Sequence, residues 1–358
     1  MKLVIAEKPS VAMALAKVVG ARERKDGYVE GKEYLVSWCV GHLVAFCDAS
    51  EYDERYKKWR YEDLPIIPEE WKRKVLDGTK RQFQILKKLM NSKEVDEVIC
   101  ATDAGREGEL IFRLVYEQAG CKKPVKRLWI SSMEERAIKE GFKSLKDGSC
   151  YEDLYQSALC RAKADWLVGI NASRLFSVLY NQNLKVGRVQ TPTLAMIVDR
   201  NQKVKEFVKE KYYVAHLTFG EFDAVSGHFQ KKEEADKVAS DCSERMCQVE
   251  KEDIQTKTVR SPKLYDLTSL QRDANRIFGY TAQQTLDAVQ EMYEKKLVTY
   301  PRTDSQYLTD EMGESTKQLI QVLLSRMPFA EGMEYEPEVS KVLNSNRVSD
   351  HHAIIPTS

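Results

Sequence analysis

Residues 1 to 147 alternate between short apolar runs and segments whose apolar positions recur every three or four residues. Leu3-Val4-Ile5-Ala6, Tyr34 to Val40 ahead of Gly41, Val95 to Ala101 and Val125 to Ile130 are mostly unbroken apolar stretches, the pattern of strands covered on both faces. Helical spacing fills the intervals. It runs from Pro9-Ser10 through Val18, and again from Lys80 to Met90. A further helix starts near Glu107, with Leu110, Ile111, Leu114 and Val115 on one face and Gly120 as its C-terminal cap, and another spans Ala137 to Leu145. Alternation of this kind predicts an α/β sheet whose ligand edge lies at the carboxyl ends of its strands.

Beyond Lys146-Asp147-Gly148-Ser149, a boundary signal, the pattern is helical from Tyr151 to about Tyr180. Residues 211 to 262 alternate, as in Tyr212-Val214-His216-Thr218, and predict antiparallel strands up to a second boundary at Ser261-Pro262. Thr281 and Gln284 make a capping-box pattern ahead of Ala282, Leu286, Val289 and Tyr293, so an amphipathic helix is expected there. Leu297 to Tyr300 reads as a short strand after it.

The composition narrows the class without naming a partner. The chain has 358 residues, 42% hydrophobic and 31% charged, enough for a buried core and for two or three domains. Lys+Arg total 56 against 55 Asp+Glu, so a globally basic nucleic-acid binder is excluded, although a locally basic groove is not. Mean hydropathy is -0.50, and no apolar run approaches the roughly 20 residues of a membrane span. The eight cysteines, Cys39, Cys47, Cys100, Cys121, Cys150, Cys160, Cys242 and Cys247, form no Cys-x-x-Cys pair and read as reduced core thiols.

Several segments carry candidate chemistry. Glu7-Lys8 leaves the first strand at the ligand edge; taken alone, a surface ion pair is the commoner occurrence. Asp103-Ala104-Gly105-Arg106-Glu107-Gly108-Glu109 puts acidic groups at another strand end, where oxygen ligands suit Mg²⁺ and where helix-start acids are equally ordinary. Glu7 at a neighbouring strand end favours the metal. In Tyr300-Pro301-Arg302 a tyrosine could act as nucleophile beside a cation for phosphoryl charge; by frequency alone a strand-end tyrosine with a structural arginine is commoner. His351-His352 could donate to phosphate oxygens or belong to a solvated tail. Arg174 and Gly187-Arg188-Val189-Gln190-Thr191 place cations and amides where phosphates could bind.

Taken together these segments resemble the type IA DNA topoisomerases, most closely the bacterial topoisomerase III branch. Lys2 to Ser10 resembles the first strand of that family's Toprim domain, and Asp103 to Glu109 its acidic motif. Tyr300 to Ser305 resembles the nucleophile motif, and His351 to Pro356 the histidine motif. Ala164 to Gly169 with Arg174, and Gly187 to Pro192, resemble family DNA-contact segments. The resemblance covers nearly the whole chain. Gly105 stands where the family has a second aspartate, which removes one ligand and leaves room for one metal rather than two. The chain also stops where family members continue, so it is expected to be the N-terminal portion of a longer protein.

The resemblance implies an α/β Toprim, Rossmann-like domain over residues 1–147, followed by an incomplete topoisomerase core. That core would comprise a helical DNA-binding segment at 148–210, a β-strand arch at 211–265 and a winged-helix-like nucleophile domain at 266–358. Tyr300 would attack a phosphodiester of single-stranded or negatively supercoiled DNA, forming a 5′-phosphotyrosyl link that is religated without ATP after strand passage. Arg302 would clamp the phosphate, Lys8 assist departure of the 3′ oxygen, and His351 bond a DNA phosphate. Glu7, Asp103 and Glu107 would hold Mg²⁺. Arg174, Arg188 and Gln190 would touch the backbone, while Trp59-Arg60 and Trp166 would stack on bases. The implied setting is a monomer of the bacterial cytoplasm and nucleoid, with a helicase as candidate partner and no membrane. A Mg²⁺-dependent Toprim nuclease, which has no use for Tyr300, and a catalytically inert DNA-binding fragment are the alternatives.

Overall fold

The computed structural model describes residues 1–357 except 131, 132, 134, 221, 244, 247, 260, 329–335, 349 and 350. Its strands are β1 (Lys2–Ala6), β2 (Glu23–Lys25), β3 (Tyr28–Glu30), β4 (Tyr34–Trp38), β5 (Val44–Phe46), β6 (Arg73–Val75), β7 (Glu97–Ala101), β8 (Val125–Arg127), β9 (Lys146–Asp147), β10 (His216–Phe219) and β11 (Phe222–Val225). Its α-helices are α1 (Pro9–Val18), α2 (Lys80–Met90), α3 (Arg106–Gln118), α4 (Glu135–Lys143), α5 (Glu152–Tyr180), α6 (Gln190–Lys205), α7 (Lys232–Cys242), α8 (Leu267–Phe278), α9 (Ala282–Glu294) and α10 (Gly313–Leu324). The chain divides into two compact units, Met1–Gly187 with Pro262–Ser358, and Arg188–Ser261.

The first unit is built on a sheet of order β2-β3-β4-β1-β7-β8-β9. β4, β1, β7 and β8 run parallel, and the antiparallel partners β3 and β9 flank them. Side chains alternate across β1. Leu3 and Ile5 join one core with Phe83 and Leu86 of α2, Leu110, Ile111, Phe112, Leu114 and Val115 of α3, and Tyr155 and Leu159 of α5. Val4 and Ala6 join the other with Ala12 and Leu15 of α1, Ile138 of α4, Tyr293 and Tyr300. Helices on both faces are why the strands read as continuous apolar runs. Burying each such large apolar side chain contributes about 1.5–3 kcal/mol.

The sheet order reverses at β1, because β4 lies on one side of it and β7, then β8, on the other. In an open α/β sheet that reversal opens a crevice beyond the carboxyl ends of the two strands. Glu7 follows β1 and Asp103 follows β7.

Two expectations need correction. Leu297 to Tyr300 forms no ladder strand: Val298 makes an isolated bridge to Pro356, flanked by the Thr299 N–H on the Ile355 carbonyl (2.9 Å) and the Thr357 N–H on the Leu297 carbonyl (3.0 Å). Pairing goes no further because the Leu297 N–H turns back to the Met292 carbonyl (2.9 Å) and the Ile355 N–H donates to the Thr299 hydroxyl (3.0 Å) rather than to its carbonyl. In the second unit, antiparallel pairing among the described residues of 211–262 is mainly the β10–β11 hairpin, with a Tyr213–Phe229 bridge, and Lys232–Cys242 is helical. Glu233 and Glu234 in the first turn of α7 favour the helix through its dipole. Of the cysteines, Cys39, Cys47, Cys100 and Cys121 are buried, whereas Cys150 and Cys160 are exposed; Cys247 lies outside the described residues.

Candidate active site at the edge of the parallel sheet

The parallel register pairs Ala6 of β1 with Ala101 of β7, so Glu7 and Asp103 leave the sheet side by side. Glu7 is buried, and its Oε2 accepts the Asp103 backbone N–H (3.2 Å). Burial, and then the Asp103 charge, push the Glu7 carboxyl up to about 7, against smaller opposing effects from the Asp103 N–H, Lys8 and Arg302.

Tyr300 arrives from the far end of the sequence. The Thr281 capping box, with Thr281 and Gln284 bonded reciprocally, starts α9, and Tyr293 in the last turn meets the Tyr300 ring edge-on at 5.4 Å. Together with the Thr299–Ile355 bonds, this packing holds Tyr300 against the sheet edge, where its hydroxyl donates to Asp103 Oδ2 (3.0 Å). Burial first, then the Asp103 charge, raise the phenol well above its usual range, while Arg302 works in the opposite sense. The His351 ring lies 4.3 Å from the Tyr300 ring, and the His351 carbonyl accepts from the Thr303 hydroxyl (2.9 Å). Arg302 itself is exposed.

Lys8 lies beside Glu7 in sequence but pairs with Glu294 at the end of α9 (3.8 Å). Glu107, in the first turn of α3, is not gathered with Glu7 and Asp103; it meets His42 Nε2 at 2.6 Å, and that bond lowers its carboxyl. Glu109 leaves the acidic group altogether. Residues two apart on a helix do not share a face, and Glu109 is buried against Arg113 (2.9 Å) and Arg127 (3.0 Å). Gly108 is required between them, because a Cβ there would lie 2.2 Å from the Asp103 carbonyl oxygen.

Among the described residues no three His, Cys, Asp or Glu side chains converge as a metal cage. The Glu7–Asp103 pair nevertheless fits Mg²⁺, which keeps several waters and takes one or two carboxylates. Two hard oxygen donors stand together at this edge, and a cation there would offset what raises Glu7, burial first and then the Asp103 charge.

Tyr293, Glu294, His42 and Arg127 were not marked by the sequence pattern as site residues. His42 lies four residues beyond the end of β4, just after Gly41, so only a search of the loops past the strand ends would reach it. Tyr293 and Glu294 carry only the signal of an amphipathic helix.

The DNA-contact candidates fall into distinct settings. Trp59 is 44% exposed, with the Arg174 guanidinium 5.3 Å over its ring, and Arg60 is exposed beside it. Arg174 is buried and donates to the Tyr56 carbonyl (2.8 Å). Trp166 is half-buried, donating to the Cys47 carbonyl (2.9 Å) and packed edge-on against Tyr52 and Trp71. Gly187 ends the first segment of the first unit. In the second unit Arg188 and Val189 are exposed, and Gln190 and Thr191 open α6.

Residues 2–133 match the Toprim domain family, and residues 149–358 match the DNA topoisomerase family. The chain is 44% identical over 373 residues to the DNA topoisomerase 3 of Shouchella clausii strain KSM-K16, covering 99% of this chain and 51% of that protein. It is 42% identical over 363 residues to the DNA topoisomerase 3 of Staphylococcus epidermidis, with the same coverage of 99% and 51%. The chain therefore spans about half the length of the curated relatives it matches. In fold it resembles the full-length topoisomerase I of Thermotoga maritima, with a TM-score of 0.69, 24% identity, and coverage of 99% of this chain and 55% of that one. Among the described residues no helix is long and apolar enough to cross a membrane.

Proposed function

The chain belongs to the type IA DNA topoisomerase family, and from that membership we propose that its Tyr300 cleaves single-stranded DNA. The phenolic oxygen bonds to phosphorus and becomes a 5′-phosphotyrosyl link, while the P–O bond to the 3′ oxygen breaks and leaves a 3′-hydroxyl. The observation that carries this reading is the Tyr300 hydroxyl on Asp103 Oδ2 at the crevice between β1 and β7. A nucleophile from one end of the sequence and a carboxylate pair from the other share one place.

Asp103, which already accepts the phenolic hydrogen bond, is placed to take the proton. Arg302 is exposed beside the nucleophile and clamps the phosphate, for which its planar fork is suited. Lys8 neutralises the phosphate and assists the 3′ oxygen once DNA draws it from Glu294. His351 contacts a DNA phosphate. Glu7 and Asp103 are the residues to hold Mg²⁺, with Glu107 joining them on release from His42; bound there, the ion would supply positive charge at the phosphate. Because the covalent link conserves the phosphodiester energy, religation after strand passage needs no ATP.

In this reading residues 1–147 bind the metal, 148–210 bind DNA, 211–265 belong to an arch, and 266–358 carry the nucleophile. The substrate is single-stranded or negatively supercoiled DNA, the protein works as a monomer in the cytoplasm and nucleoid, and a helicase is its partner.

The test is to incubate the protein with Mg²⁺ and labelled single-stranded DNA, denature, and look for label covalently on the protein, in the peptide that contains Tyr300. Cleavage without an adduct would assign a nuclease instead, and binding without cleavage an inert DNA-binding fragment.

Strand binding separates into stacking and charge. Trp59→Ala is expected to weaken single-strand affinity about fivefold to 100-fold, the worth of one stacked base, without changing its salt dependence. Arg188→Ala should instead lower the slope of log K against log salt by about 0.7, one phosphate contact. Fluorescence anisotropy titrations at several salt concentrations check both.

A further inference from the structure

Arg127 ends β8 and reaches beneath the carboxyl end of β7. Its side chain and that of Glu109 are each 1% exposed, and their closest atoms, Nε and Oε2, lie 3.0 Å apart as an ion pair without hydrogen-bond alignment. Nη1 donates to the carbonyls of Thr102 (2.8 Å), Leu128 (2.9 Å) and Cys100 (3.2 Å), and Nη2 donates to the Asp103 carbonyl (2.7 Å). One face of the guanidinium lies 5.1 Å from the Trp129 ring, which stacks on Tyr151.

An ion pair serving only to neutralise Glu109 would not need this aim, since Arg113 already bonds Glu109 Oε1. The fork is directed at the segment that leaves β7 and ends at Asp103. That residue is then held at every polar atom of its backbone: its N–H by Glu7, its carbonyl by Arg127. On the other side Gly108 lets the first turn of α3 close onto the same carbonyl. The Asp103 side chain, the only part left to turn, meets the Tyr300 hydroxyl.

We propose that Arg127 is a positioning residue for DNA cleavage, its buried fork fixing the Asp103 peptide so that the Asp103 carboxylate faces Glu7 and the Tyr300 hydroxyl. The proposal rests on Glu7, Asp103 and Tyr300 being the cleavage site. Arginine is needed because several carbonyls must be met at once from one plane; a lysine ammonium keeps the charge but is a single point. A shift of about 1 Å in a positioned group is enough to cost about 100-fold in rate.

The test compares wild type with Arg127→Lys and Arg113→Lys, the second disturbing the same Glu109 without touching Asp103. Three quantities are read: the Mg²⁺ midpoint for adduct formation, the rise in melting temperature that Mg²⁺ gives the DNA-free protein, and single-strand affinity in EDTA. For Arg127→Lys the midpoint is expected to rise tenfold or more and the Mg²⁺-induced melting shift to fall by at least half, with DNA affinity in EDTA unchanged within twofold. Arg113→Lys should lower the melting temperature yet keep the wild-type midpoint. A wild-type midpoint in Arg127→Lys, or an equal rise in Arg113→Lys, overturns the proposal. Should Arg127→Lys not fold, Gly108→Ala presses on the same carbonyl without removing a charge and must show the same raised midpoint; a wild-type midpoint there overturns it. If wild type forms no adduct, the cleavage reading fails and the role of Arg127 in cleavage with it; a melting shift still halved in Arg127→Lys would then assign the fork to orienting the Asp103 carboxylate for the cation alone. A wild type whose melting ignores Mg²⁺ overturns both.

Discussion

Tyr300→Phe is expected to lower covalent adduct formation by at least about 10⁴-fold, the scale on which loss of a nucleophile is felt, while the protein melts within a few degrees of wild type. The ring is what packs: it meets Tyr293 at 5.4 Å and His351 at 4.3 Å, contacts that phenylalanine keeps. The hydroxyl donates a hydrogen bond to Asp103, worth about 1.5–3 kcal/mol when the acceptor is charged. Part of that is recovered, because removing the donor leaves a carboxylate that water or a cation can reach. Adduct yield on a denaturing gel, set beside a melting curve, checks both halves. An adduct that persisted would place the nucleophile elsewhere and sink the assignment.

Glu7→Gln is expected to lower cleavage by about 10³-fold or more, as for a preorganised charged group at a reacting centre, and yet to stabilise the metal-free protein at alkaline pH. The Glu7 carboxyl is raised from 4.5 to about 7 by burial and by Asp103. Between those values the folded state holds a proton that the unfolded state releases. The stability that Glu7 allows therefore falls as pH rises through that window, and the full penalty stands above pH 7. Glutamine removes the penalty while its side-chain oxygen can still accept the Asp103 N–H. A gain of about 1–3 kcal/mol is expected at pH 8 in EDTA, vanishing near pH 4. Mg²⁺ should narrow the gap at pH 8 by stabilising wild type selectively. Denaturant melts across pH, with and without Mg²⁺, test this; a variant less stable than wild type at pH 8 in EDTA would show that Glu7 is not held against Asp103.

The alternation of residues 1 to 147 was readable because strand and helix periods are local and the strands are covered on both faces. Lys80 to Met90 and the Thr281 cap stand where the pattern put them. Helix α7 was missed because alternation in a polar, exposed segment carries little burial signal. The acidic cluster was legible as a collection of acids but not as a geometry: Glu107 and Glu109 are near neighbours in sequence, yet one turns to His42 and the other into the core.

Local spacing and side-chain identity carry the α/β order, the family motifs and the residue types that chemistry needs, so these are legible in the chain alone. Tertiary structure alone decided which acids face one another, because that follows from the strand order and the reversal at β1. It alone brought Tyr300 to Asp103, 197 positions away, and aimed Arg127 at the Asp103 peptide. The raised Glu7 and Tyr300 values have the same origin. Desolvation and Coulomb repulsion act through space, between groups that no local pattern in the chain places together.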